Sequence, residues 1–141
     1  GCSDQRDGTP GSCPLPYKVD SQSDKNGPQI ENVIVGQACG RLLTAVASER
    51  GSNALLFDIT DITSPDLIQV LNLSPANQFL SLGLAYNRGV VGEIDPESGV
   101  FLSAEQSPTG RAAIMWGGVH SGTVSFWEIQ CKEYPEESSD N

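Results

Sequence analysis

Two stretches of this sequence repeat one order of short apolar runs and turn residues, and this repeat constrains the fold more than any other feature. Residues 52–59 (Ser-Asn-Ala-Leu-Leu-Phe-Asp-Ile) align with residues 122–129 (Gly-Thr-Val-Ser-Phe-Trp-Glu-Ile). Ile59 and Ile129 therefore correspond at a distance of 70 positions (129 − 59). Glu31 and the run after it likewise correspond to Glu97 and its following run. Such a repeat is typical of folds that stack copies of one supersecondary element.

The first copy contains four short apolar runs, and the second contains three. The runs of the first copy are residues 32–37, 41–48, 53–60 and 66–73, and those of the second are residues 99–104, 111–117 and 122–131. The connections within the first copy are too short for a parallel crossover, so the runs predict an antiparallel meander. Residues 75–87 have an ambiguous pattern and are interpreted as part of a loop.

A repeated four-stranded meander predicts an all-β chain made of β-propeller blades, one complete and most of a second. Propellers have about four to eight blades, so two blades need the remaining blades of one precursor, or other subunits in a homo- or hetero-oligomer, as partners. A seven-stranded β-sandwich is the alternative, because its short strands give a similar pattern. The predicted organisation is an irregular arm (1–30), a first blade (31–74), a loop (75–98), a second, incomplete blade (99–131) and a disordered acidic tail (132–141).

The charge of the chain narrows the classes of partner. The formal net charge is −10, which opposes binding to nucleic acids and to anionic membrane surfaces. No apolar run approaches the roughly 20 residues that a membrane-spanning helix needs. Cations such as calcium and basic proteins remain compatible with this charge.

The four cysteines are predicted to form disulfides, since their spacing does not match a zinc site. Disulfides indicate an oxidising environment and hence a secreted or cell-surface protein. Spacing alone leaves about three pairings open. If the strands run outward from a propeller axis, Cys39 and Cys131 lie at the same end of adjacent blades. That geometry predicts a Cys39–Cys131 bond and leaves Cys2 and Cys13 to staple the arm.

The same strand order places three glutamates near one rim of the array. Glu31 and Glu97 precede the first strands of the two blades, and Glu49 ends a second strand. Converging carboxylates repel each other unless they share a cation, so the three residues form a candidate calcium site. The alternative is that each glutamate caps a turn or pairs with a neighbouring arginine.

Several other side chains have simpler interpretations. Asn72 begins an Asn-Leu-Ser sequon and is a candidate glycosylation site. Trp116 and Trp127 are expected in the core, with a carbohydrate platform as the alternative. Asp61 is expected to close an Asx-turn. His120 is interpreted as a turn residue, because it has no nearby nucleophile with which to form a triad.

Two blocks of residues carry a resemblance to a known family. The first consists of residues 23–28 (Ser-Asp-Lys-Asn-Gly-Pro), Glu31, Val33, residues 35–36, residues 48–50 and residues 57–61; the second consists of residues 92–97, 104–110, 121–125 and 128–129. They resemble the carboxyl-terminal part of the choice-of-anchor I domain, a family that includes the mesenchyme-specific cell-surface glycoproteins of biomineralising cells. The resemblance implies a β-propeller-like, secreted or surface-anchored protein with no established catalytic activity.

Together these features predict a non-enzymatic extracellular structural or interaction protein of a cell wall, filament or mineral matrix. The alternative function is a calcium-dependent hydrolase of the phosphoesterase kind, since acidic propeller rims can hold a metal that activates water.

Overall fold

The chain is built from two antiparallel β-sheets. The computed structural model describes residues 29–49 and 51–131. Sheet 1 contains, in spatial order, β1 (Ile30–Ala38), β2 (Arg41–Ser48), β3 (Asn53–Asp58) and β4 (Asp66–Asn72). Sheet 2 contains, in spatial order, β5 (Pro96–Leu102), β6 (Ala113–Gly118) and β7 (Thr123–Glu128). The all-β class and the two meanders, one of four strands and one of three, are confirmed.

The segment between the sheets differs from the predicted loop. It contains a 3-10 helix at Pro75–Gln78 and a short α-helix, α1, at Leu82–Asn87, and β5 begins within it at Pro96. Ser81 starts α1, because its hydroxyl accepts a hydrogen bond from the backbone N–H of Leu84. Interpreting this whole segment as a loop was wrong. A helix of six residues is too short to produce a recognisable apolar period.

The two sheets repeat the same local structure in register. Leu43 pairs with Asp58 in sheet 1, and Ala113 pairs with Glu128 at the corresponding place in sheet 2. Both positions are shifted by 70 residues (113 − 43 and 128 − 58), as predicted from Ile59 and Ile129. The second and third strands of each sheet are therefore equivalent, residue for residue.

The first strands are also equivalent, at a shift of 66 positions (97 − 31). Each begins with a β-bulge, centred on Glu31 in β1 and on Glu97 in β5. The residues two positions earlier, Gln29 and Asp95, both adopt a positive φ, 44° and 61° respectively. Their carbonyl oxygens accept matching hydrogen bonds from the N–H groups of Glu49 and Val119, at 3.0 and 3.1 Å.

Each sheet has two chemically different faces, which we call face A and face B. Face A contains Leu43, Ala45 and Ala47 in sheet 1 and the equivalent Ala113, Met115 and Gly117 in sheet 2. Face B contains Thr44 and Val46 in sheet 1 and the equivalent Ile114 and Trp116 in sheet 2. This division follows from strand geometry, since alternate residues point to opposite sides and paired residues share a side.

The core lies between face A of sheet 1 and face B of sheet 2. It joins Leu43, Ala45 and Ala47 to Ile114 and Trp116. Trp116 is fully buried, which confirms its predicted core position, and Trp127 is partly buried against the same cluster. Small alanines on one sheet leave room for large side chains on the other, so that the two faces interlock.

The closest approach of the sheets occurs at their first strands. Gly36 of β1 lies directly against the ring of Phe101 of β5, and a Cβ at Gly36 would overlap that ring. At the other end of the same strands, the Asn32 amide donates a hydrogen bond to the carbonyl oxygen of Glu97 at 3.1 Å. β1 and β5 are therefore neighbours along most of their lengths.

Three predictions lie outside the described residues: most of the arm, the Cys2–Cys13 bond and the acidic tail. Among residues 29–49 and 51–131, no helix has the length and apolar character needed to cross a membrane.

Candidate functional site

The structure does not bring the three predicted calcium ligands together. Glu31 and Glu97 are exposed on their bulges, whereas Glu49 is buried at the end of β2. Within the described part of the chain, no group of three or more His, Cys, Asp or Glu side chains is placed to hold a metal ion. Calcium binding therefore stays a prediction from the sequence, without support from these three carboxylates.

A buried carboxylate that sequence reasoning missed lies beside His120. Oδ2 of Asp95 pairs with Nδ1 of His120, whose side chain is 65% exposed while that of Asp95 is 5% exposed. Oδ1 of Asp95 is also buried and has no hydrogen-bond partner. His120 lies in the turn after β6, as predicted, and Asp95 orients it there. Asp95 is the equivalent of Gln29, and this position lies beside the turn after the second strand of each sheet. In the sequence, however, Asp95 is a single acidic residue in a loop, and nothing there indicates that it pairs with His120.

Hydrogen bonds hold the loop before β5 against the same turn. The Ser121 hydroxyl accepts from the N–H of Ile94 at 3.0 Å and lies 2.7 Å from the hydroxyl of Thr123. Thr123 in turn donates to the carbonyl oxygen of Gly92 at 2.7 Å. Gly118 is required here, because a Cβ at that position would meet the backbone of Glu93 and Ile94 at 2.9 Å. These hydrogen bonds and the close backbone contact at Gly118 hold the corner together.

The opposite end of the sheets carries the disulfide. Cys39 and Cys131 are bonded, with their Cα atoms 5.4 Å apart, and this is the pair predicted to join the two blades. Cys39 lies in a tight β1–β2 turn with Gly40, and both have positive φ, 56° and 69°. The bond therefore ties the first hairpin of sheet 1 to the end of sheet 2.

A cleft of about 1060 Å³ opens beside this disulfide, and equivalent ion pairs flank it. Arg41 pairs with Asp58 at 2.9 Å, and Arg111 pairs with Glu128 at 3.3 Å. All four residues obey the shift of 70 positions (111 − 41 and 128 − 58). The cleft is therefore lined by arginines whose charges are already matched by carboxylates.

Hydrogen bonds, more than charge, set the acidity of these carboxylates. The side chain and N–H of Thr60, followed by Arg41, hold the pKa of Asp58 below its ordinary value. The Thr109 side chain, followed by Arg111, likewise lowers the pKa of Glu128. The pKa of Asp61 is lowered by the hydroxyl and N–H of Thr63, which form the predicted Asx-turn.

The candidate glycosylation site lies at the end of β4. Oδ1 of Asn72 accepts a hydrogen bond from the N–H of Ser74 at 3.0 Å. The hydroxyl of Ser74 is buried and donates to the carbonyl oxygen of Val91. Both polar groups of the sequon thus have partners in the folded protein, and glycosylation of Asn72 stays a prediction.

The two sheet faces that do not pack against each other are largely apolar and exposed, although Ala113 on face A of sheet 2 is buried. On face B of sheet 1, the exposed fractions are 61% for Val33, 53% for Val35 and 54% for Val70. On face A of sheet 2, they are 47% for Val100 and 68% for Val124. A face covered with such side chains marks a site of association. The exposure of these side chains is visible only in the structure, because it depends on which faces of the two sheets pack together.

One curated protein is similar to this chain. The chain is 24% identical to Gigasin-3a of Magallana gigas over 116 residues. This aligned segment covers 82% of the chain and 41% of Gigasin-3a. The chain thus spans less than half of the length of this relative. No family model matches, so the resemblance to the choice-of-anchor I domain stays a prediction. No solved structure matches the chain. The disulfide agrees with an extracellular protein.

Proposed function

We propose that this chain is a non-enzymatic extracellular structural or interaction protein, whose two sheets are neighbouring repeats of a larger propeller-like array. Its role is to present rigid, disulfide-tied sheet surface within a cell wall, a filament or a mineral matrix. The predicted resemblance to surface glycoproteins and the similarity to Gigasin-3a support a setting outside the cell.

The single observation that carries this proposal is the head-to-tail packing of the sheets. Face A of sheet 1 meets face B of sheet 2, so two different faces form the contact. A self-sufficient sandwich buries its apolar faces inward and alternates them with outward-facing polar residues. Here the outward faces carry valines instead, such as Val35 and Val124. When face A of one sheet packs against face B of the next, one face of each kind stays open for a further sheet. This is the arrangement expected inside a repeating array.

The position of the first strands gives further support. β1 and β5 lie side by side, and the Asn32–Glu97 hydrogen bond joins them near their bulges. In a propeller the first strand of every blade lines the central axis, so neighbouring first strands run close together. The disulfide at the other end of the sheets would then hold adjacent blades at a constant angle.

The array is tested by determining the structure of the full-length gene product. We expect further antiparallel sheets, supplied by the gene product itself or by further copies of it, arranged radially, with one covering face B of sheet 1 and another covering face A of sheet 2. A full-length structure in which both faces remain in solvent, or in which polar loops cover them, would contradict the array.

The setting and the absence of enzymatic activity need separate tests. Antibodies against the chain should label intact cells of the source organism or the material around them, and labelling only after permeabilisation would contradict an extracellular role. The purified protein should not hydrolyse phosphoesters with or without added calcium. Calcium-dependent turnover that copurifies with the chain would favour the hydrolase alternative.

A further inference from the structure

The packing of the two sheets leaves a matching pair of faces unused. Within one chain, face A of sheet 1 and face B of sheet 2 form the core. Face B of sheet 1 and face A of sheet 2 remain open at opposite ends of the pair. The open pair therefore consists of the same two kinds of face that already contact each other once.

At the closest contact of the first strands, side-chain volumes are exchanged between the used pair and the unused pair. In the core, Gly36 on face A accepts the large ring of Phe101 on face B. The equivalent residues on the open faces are Leu102 on face A (36 + 66) and Val35 on face B (101 − 66). On the open faces the larger side chain is therefore on face A and the smaller one on face B. Together the two side chains can again fill the space between two packed sheets.

The same exchange occurs on the central strands. Ala45 on face A and Trp116 on face B contribute to the core. Their equivalents on the open faces are Met115 (45 + 70) and Val46 (116 − 70). At these two positions a large-to-small change on one face is again matched by a small-to-large change on the other, whereas Leu43 and Ile114 of the core both have smaller equivalents, Ala113 and Thr44.

The centre of the open faces can be covered without stranding a polar group. On face B of sheet 1, the Thr44 hydroxyl already donates to the carbonyl oxygen of Ile34 at 3.0 Å. On face A of sheet 2, Glu128 lies at the rim, where Arg111 pairs with it. Excluding water from the centre of these faces therefore buries apolar surface, and few polar groups lose hydrogen bonds to water.

From these observations we infer that face B of sheet 1 in one copy of this chain binds face A of sheet 2 in a second copy. The inference rests on the proposed function, because it treats the two sheets as repeats of one array, and it names the partner as the chain itself. A contact between unlike faces leaves one face of each kind open, so assembly continues until a ring closes. Closure at about four to eight sheets corresponds to about two to four copies.

Two single substitutions test this contact, one on each face. Val35→Asp alters face B of sheet 1 and Val100→Asp alters face A of sheet 2; their side chains are 53% and 47% exposed, so folding should tolerate both changes. Val119→Asp is the matched control, since Val119 is 56% exposed and lies in the β6–β7 turn, on neither face. Circular dichroism and the intact Cys39–Cys131 bond establish that each variant is folded.

The masses in solution decide the outcome. Light scattering should give the original protein and Val119→Asp at least twice the monomer mass of 15.0 kDa. Each face variant alone should be monomeric, because every copy lacks the same face. An equimolar mixture of Val35→Asp and Val100→Asp should form a one-to-one dimer that grows no further, through the one intact face of each kind.

Three results would overturn the inference: a monomeric original protein, a face variant that still dimerises alone, or a mixture that stays monomeric. If either variant fails to fold, Val33→Asp and Val124→Asp replace them on the same two faces. Assembly should also strengthen with added salt, since each copy carries a formal charge of −10. A monomer would leave the proposed function standing, because the remaining sheets of the array can then come from the same gene product.

Discussion

At the scale of single residues, a few close contacts hold the two sheets in place. Gly36 and Phe101 are the clearest case, because the ring occupies the space that any Cβ at Gly36 would fill. The first strands could not approach so closely with a side chain at this position. Glycine in a strand ordinarily weakens it, and here it marks the place where another element comes near.

We therefore expect Gly36→Ala to lower the free energy of unfolding by about 1–3 kcal/mol through overpacking. Combining it with Phe101→Val should recover part of that loss, with a coupling of about 0.5–3 kcal/mol in a double-mutant cycle. Gly117→Ala is the control, since the nearest atom to its Cβ would be 3.9 Å away. Chemical denaturation measures all of these values, and strictly additive effects would contradict the contact.

Thr60 offers a second residue-scale prediction. Its hydrogen bonds lower the pKa of Asp58 more than the charge of Arg41 does. In an NMR titration, Thr60→Ala should raise the pKa of Asp58 toward its ordinary value of 3.8, and Arg41→Gln should raise it less. Thr60→Ser keeps the hydroxyl and should leave the pKa near that of the original protein. A larger rise for Arg41→Gln would show that charge dominates instead.

At the scale of elements, the disulfide joins parts of the fold that are far apart in sequence. Cys39 follows β1 and Cys131 follows β7, at a separation of 92 residues. In the chain-entropy account, a cross-link that closes so long a loop greatly reduces the conformational entropy of the unfolded chain. The bond therefore stabilises the packing of sheet 1 on sheet 2 more than it stabilises either sheet alone.

Replacing both Cys39 and Cys131 with serine should lower the free energy of unfolding by about 2–5 kcal/mol. Thermal unfolding followed by circular dichroism measures this loss, and a reducing agent should reproduce it in the original protein. A reducing agent added to the double variant is the control for any other disulfide. An unchanged melting temperature in the double variant would contradict a stabilising role for the bond.

At the scale of the whole molecule, acidic side chains set how stability depends on pH. In the described part of the chain, four carboxyl groups at or near the surface have a pKa below their ordinary value: Asp58, Asp61, Glu105 and Glu128. Because the folded state lowers each pKa, these groups stabilise the fold above their ordinary values of 3.8 and 4.5. That contribution is lost as the pH falls through the folded-state values.

The free energy of unfolding should accordingly be nearly constant with pH above about pH 5 and should decrease as the pH falls toward 2. Denaturant titrations at a series of pH values measure it. Asp58→Asn should reduce the slope in the acid range, because one of the titrating groups is removed. Stability that stays constant or increases on acidification would contradict this account.

Much of the fold could be predicted from local patterns in the sequence. Short apolar runs, separated by turn residues, predicted the seven strands, and the short connections predicted their antiparallel order. The match of residues 52–59 to residues 122–129 predicted the shift of 70 positions that the structure shows. The helix α1 was missed, because six residues capped by Ser81 leave no periodic signal.

The candidate sites depended on tertiary structure. Only the packing of the sheets decides that Asp95 meets His120, that Glu31, Glu49 and Glu97 form no metal-binding group, and which faces stay open. The sequence by itself determined the strands, the repeat and the two chemically different faces of each sheet. The choice of which face meets which belongs to the tertiary structure, because it depends on side-chain volumes at positions about 65 or more residues apart.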